Sequence, residues 1–215
     1  MRALLLLAAL GLLMGLAGAD PKTVDLSPYV TANIQQTLYP TFPTGRVVPP
    51  ENKFGVPFDL LPASGNNYVI IKGENNNNPL TIPIGVAGVV KVYMLMQALG
   101  PWRSRQLCTV QFTGSGGAHQ MVPLWSGQNV RDFFEASFAR TINNTTTKEA
   151  FNFIGQGGAF TDNTADGPRG YYHFDEQEFI LNNDFAGQTL ASITIKANTE
   201  GVGVPVLLGL TVVIR

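Results

Sequence analysis

Apolar residues in this chain gather in short unbroken runs or alternate strictly with polar ones, the two patterns expected of strands. The most apolar run beyond the extreme N-terminus is Leu80-Thr-Ile-Pro-Ile-Gly-Val-Ala-Gly-Val-Val-Lys-Val-Tyr-Met-Leu-Met-Gln-Ala98. A membrane helix of this length would carry Lys91 near its centre, at a cost of about 2.5–3.5 kcal/mol. Pro83, Gly85 and Gly88 break its first half, and Val89, Val90 and Val92 favour strand over helix. The run therefore predicts two strands, 80–84 and 89–96, joined by a glycine-containing turn. The second is apolar on both faces apart from Lys91, as a strand at the centre of a sandwich should be.

Alternation marks the others. Residues 106–112 point Cys108, Val110 and Phe112 one way, and 192–196 do the same with Ile193 and Ile195. The closing strand is expected to place Val206, Leu208, Leu210, Val212 and Ile214 on one face. Residues 54–61 read as an edge strand, because Pro57 cannot donate to a central ladder. Further strands are predicted at 68–72, 119–124, 149–154 and 177–181, with Gly114-Ser-Gly-Gly117 as a hairpin turn. Residues 131–140, with Phe133, Phe134 and Phe138, are either a short amphipathic turn or an irregular loop. About ten short strands separated by Gly, Pro and Asn predict an all-β fold, an antiparallel β-sandwich of jelly-roll type.

The N-terminus changes the domain picture. One basic residue, an apolar run to Leu16 and Ala17-Gly18-Ala19 have the layout of a secretory signal peptide. Residues 1–19 are therefore set apart as a signal peptide, with an uncleaved anchor as the alternative, and 20–215 as one β-sandwich domain. Within it, 20–50 is an extended, proline-rich segment packed on the rest. The expected location is secreted or periplasmic, with no membrane span after signal removal. Charged residues make up only 13% of the chain and the formal net charge is −1, which excludes an electrostatic case for nucleic acid. The single cysteine, Cys108, forms no internal disulfide and is expected to be a buried thiol.

The stretches Val24-Asp-Leu-Ser-Pro28, Gly55-Val-Pro-Phe-Asp59, Leu80-Thr-Ile-Pro-Ile84, Gly127-Gln-Asn-Val-Arg-Asp132 and the segment from Phe179 to Ile195 span most of the mature chain. With them the chain resembles the galactose-binding-like jelly-roll domains of secreted bacterial proteins, modules often found beside glycosidase catalytic domains. The resemblance implies a jelly roll that binds carbohydrate without catalysing a reaction, and such domains often hold a structural calcium.

Sugar recognition needs an aromatic face for C–H groups and neutral donors and acceptors at its rim. Trp125 ends a strand and is followed by Gln128 and Asn129, then Arg131 and Asp132. Trp102 lies between Pro101 and Arg103, and Tyr171-Tyr172 follow a polar loop. These eight residues are the candidate ligand-binding set. Asp162, Asn163 and Asp166 bring side-chain oxygens together in one loop, a donor type suited to Ca²⁺, with a solvated turn as the alternative reading. No other cofactor is expected. Asp175-Glu-Gln-Glu178 is the one carboxylate cluster, and it is expected to be solvated at a strand entrance. Glu176 and Glu178 on one strand face would stand about 6.5–7 Å apart, within the range of a glycosidase acid and base. Overlapping acceptor sequons lie at Asn143 and Asn144. The leading expectation is a secreted, non-catalytic module that binds carbohydrate or another extracellular polymer. A structural or assembly protein meeting other extracellular proteins comes second, and a glycoside hydrolase third.

Overall fold

In the computed structural model the described residues are 19–33, 43–49, 54–62, 64–72, 79–101, 105–132, 142–154, 171–198 and 203–215, without the side chains of 152–154 and 171–173. They form strands β1 (Asp20–Thr23), β2 (Gly45–Val47), β3 (Phe58–Leu60), β4 (Val69–Ile70), β5 (Leu80–Ala87), β6 (Val89–Leu99), β7 (Gln106–Gly114), β8 (His119–Trp125), β9 (Thr147–Ile154), β10 (Tyr171–Ile180), β11 (Thr189–Ala197) and β12 (Val204–Ile214). The larger sheet runs β1-β12-β6-β10-β9, with β4 also on β12, and the smaller runs β5-β11-β7-β8. The β2–β3 pair forms a third small layer. All these ladders are antiparallel.

The nesting of these pairs defines the fold. The first strand lies on the last (β1 on β12), β5 lies on β11, and β6 sits between β12 and β10. The first and last described strands thus close around a centre that crosses repeatedly between two sheets, which is the jelly-roll arrangement. The run 80–98 does supply two strands, but they do not pair with each other. β5 belongs to the smaller sheet and β6 to the larger, and the chain crosses between them at Gly88.

Core packing follows the alternation. Between the sheets lie Val92, Met94 and Met96 of β6, Cys108, Val110 and Phe112 of β7, and Ile193 and Ile195 of β11. Phe112 meets Phe179 of β10 across the gap at a ring separation of 5.2 Å. A second cluster covers the opposite face of the larger sheet, where Val56, Phe58, Leu60 and Tyr68 pack on Tyr93, Leu95, Phe174 and Leu208. β6 is therefore buried on both faces, which is why its run contains so few polar residues.

The expected single face of the closing strand is corrected by the register. Leu207 pairs with Met96 and Gly209 with Leu95, leaving Leu208 as an extra residue in β12. This bulge reverses the alternation. Leu207, Leu210 and Val212 face the space between the sheets, while Val206 and Leu208 face the second cluster. Gly209 leaves room at that point: a Cβ there would lie 2.9 Å from Cδ1 of Phe58. A second two-against-one irregularity occurs where Ile84 and Gly85 of β5 oppose Ala191 of β11. Gly85 takes it at φ 66°, a conformation glycine adopts without strain.

Candidate binding surface

Trp125 closes β8, and its backbone organises the loop that follows. Its carbonyl accepts from the amides of Gln128 (3.2 Å), Asn129 (3.2 Å) and Val130 (3.3 Å). Its own amide donates to Oδ1 of Asn129 at 2.6 Å. The buried Ser126 hydroxyl donates to the Arg105 carbonyl at 3.1 Å, and the Gln128 carbonyl accepts from the Asn143 amide at 2.8 Å and from Nδ2 of Asn144 at 2.5 Å. The loop is thus tied on both sides. Trp125 remains 36% exposed, and Gln128 is exposed beside it.

The next two candidates turn inward. Arg131 is buried, donating through Nε to Oδ2 of Asp175 at 2.8 Å and through Nη2 to Oδ1 of Asp175 at 2.7 Å and Oε2 of Glu149 at 2.5 Å. Burial alone would lower the guanidinium pKa, but Asp175 and Glu149 outweigh it and raise the pKa overall. Asp132 is also buried and accepts the Gly100 amide on Oδ2 at 2.9 Å. This pair, placed in the candidate ligand-binding set, forms a clamp. It fastens the loop after β8 to β10, and to the end of β6 through the Ala98 amide on the Arg131 carbonyl at 3.1 Å.

The outward face of the smaller sheet begins at Trp125. Register places Trp125 opposite Gln106, Pro123 opposite Thr109, Met121 opposite Gln111 and His119 opposite Thr113. The rows continue into β11, with Lys196 beside Thr109, Thr194 beside Gln111 and Ser192 beside Thr113. They end on β5 with Thr81 beside Thr194 and Pro83 beside Ser192. Hydroxyls and amides are bonded along this face: Thr81 to Thr194 at 3.0 Å between hydroxyl oxygens, and Nε2 of Gln106 to Oγ1 of Thr109 at 2.9 Å. Along the margin strand β8, His119, Met121, Pro123 and Trp125 are exposed, Met121 to 59%.

The carboxylate cluster is not solvated, contrary to its expected position. β10 lies between β6 and β9, so Asp175, Glu176 and Gln177 are all buried. Asp175 holds Arg131. Glu178 accepts from Lys91 Nζ and from the Tyr93 hydroxyl, both at 2.7 Å. Burial, the hydrogen bond to Glu178 and the charges of Glu178 and Glu176 push the Tyr93 phenol far above its ordinary range. Gln97 is fully buried with no partner for either amide atom among the described residues, and nothing in the structure explains it. Cys108 lies between the sheets as expected, and burial pushes its thiol up to about 12.

Of the remaining candidates, Tyr171 and Tyr172 begin β10 opposite Ile154 and Phe153. Trp102 and the proposed calcium ligands Asp162, Asn163 and Asp166 lie outside the described residues. Among those described, no group of three or more His, Cys, Asp or Glu side chains is placed to hold a metal ion, and no helix is long and apolar enough to cross a membrane. The sequons differ in surroundings: Asn143 is exposed, whereas Oδ1 of Asn144 accepts from Thr146 and Thr147. No family model, curated protein or solved structure matches the chain.

The outward polar rows escaped the sequence reading, although their signal is plain in retrospect. The alternation that sends Cys108, Val110 and Phe112 inward sends Thr109, Gln111 and Thr113 outward, and the partners of Ile193 and Ile195 are Ser192, Thr194 and Lys196.

Proposed function

We propose that the chain is a secreted, non-catalytic module that binds carbohydrate. The observation that carries this reading is Trp125: a partly exposed indole at the corner of a sheet face furnished with hydroxyls and amides. An aromatic plate takes the C–H face of a sugar ring, and neutral side chains around it answer the hydroxyls. A rigid loop under the plate favours binding, because little freedom is lost when the ligand arrives. Export is supported by the leader, and a cut after Ala19 leaves β1 whole from Asp20.

A role in assembly is the second reading, favoured by the exposed apolar side chains of Met121 and Ile180, each 59% accessible. Catalysis by Glu176 and Glu178 finds less support. The first is fully buried, and the second is held by Lys91 and Tyr93. Glycan-array binding by the mature protein tests the leading reading, and its solution mass tests the second. Array binding by a monomer is the expected result. Silence on the array together with multimers at micromolar concentration would transfer the proposal to assembly.

A further inference from the structure

The outward face of β5, β11, β7 and β8 has an unusual charge balance for a chain with 15 acidic and 14 basic residues. Its outward positions are Gln106, Thr109, Gln111 and Thr113 on β7, Ser192, Thr194 and Lys196 on β11, Thr81 and Pro83 on β5, and His119, Met121, Pro123 and Trp125 on β8. None is a carboxylate, and Lys196 is the one fixed cation among them. Three outward residues of β8 in succession, Met121, Pro123 and Trp125, offer apolar surface, while the other three strands offer mostly hydroxyls and amides. The face measures about 20 Å along β8 and about 14 Å across its four strands.

We propose that this whole face, and not the Trp125 corner alone, is the ligand platform, and that its ligand is a neutral polysaccharide lying extended along it. The inference rests on the carbohydrate reading above and names the class of sugar and the extent of the site. Charge chooses the occupant. An anionic polymer would need several cations, and a single Lys196 supplies little attraction in screened solvent. A protein partner would bury the polar rows against its own apolar core, at a cost for each hydroxyl left unanswered. A neutral polysaccharide presents C–H faces to the β8 margin and hydroxyls to the Thr, Ser and Gln rows, so both halves of the surface are matched. Because contacts are spread over several rows, affinity should rise with chain length.

The test uses the mature protein in affinity electrophoresis through gels containing galactomannan, xyloglucan, xylan or mixed-linkage glucan, with polygalacturonate as the anionic comparison. At least one neutral polymer should retard the protein, insensitively to salt. The double variant Gln111→Ala/Thr194→Val, remote from the Trp125 loop, should weaken that binding about tenfold with an unchanged melting temperature. Gln111→Glu, which keeps the side chain's shape and adds a charge, should weaken it too, and serves if the double variant is unstable. Retardation of both variants equal to the parent, with Trp125→Ala alone abolishing it, would overturn the extended platform and leave the carbohydrate reading standing. Salt-sensitive binding to polygalacturonate alone would overturn the neutral-ligand assignment. No retardation by any polymer would overturn both.

Discussion

Two residues show how burial converts ordinary side chains into structural ones. Arg131 carries its charge into the interior and meets Asp175 in a bidentate pair, with Glu149 behind it. Removing one partner of such a group leaves the others desolvated and unanswered. Arg131→Ala should therefore cost about 3–5 kcal/mol in denaturant unfolding. A loss within about 0.5 kcal/mol, as for an ordinary surface substitution, would return Arg131 to the surface. Cys108 gives a pH signature. Its folded pKa is raised to about 12, so above the ordinary thiol range the unfolded chain releases a proton that the folded chain keeps. Stability should fall through that window by about 1.4 kcal/mol per pH unit for this group, and Tyr93 adds a loss of the same sign at higher pH. Comparing the alkaline stability slope with that of Cys108→Ala checks it: the variant's slope should be shallower by one proton. Equal slopes would place the thiol in solvent.

Elements were legible where one alternation decided them and obscure where a partner strand intervened. β11 keeps its alternation through 192–196 and β7 keeps it from Cys108 onward, past a bulge at Leu107, so Val110 and Ile193 fell inward as read. β12 could not be read that way, because the bulge at Leu208 exists only relative to β6. The buried ion pair was hidden for a related reason: Arg131 and Asp175 lie 44 residues apart, and nothing local announces their meeting. Trp125 was legible as the end of a strand, but the polar rows beside it depend on which strands adjoin. The bulge carries its own prediction. Gly209→Ala would press a methyl group onto the Phe58 ring and should cost about 1–3 kcal/mol. An unchanged denaturation midpoint would mean that Phe58 does not close over the larger sheet there.

For the whole molecule, the two sheets divide the work. The central strands of the larger, β6 and β12, are buried on both faces and supply stability, while the smaller turns one side to solvent. Its two edges, β5 and β8, carry Pro83 and Pro123. Proline cannot donate to an added strand, which hinders growth of that sheet by edge pairing and suits a module that presents a face. The proposed export carries its own prediction: exported protein should begin at Asp20 by intact mass, and retention of residues 1–19 would contradict the leader assignment.

The central claim is that a surface indole, not a core one, recognises sugar. Its most direct measurement is calorimetric titration of a glycan that binds the parent protein into Trp125→Ala, alongside the melting temperature of each. Affinity should fall by about 1–3 kcal/mol with little change in melting. An unchanged affinity, or a domain that no longer folds, would contradict that claim.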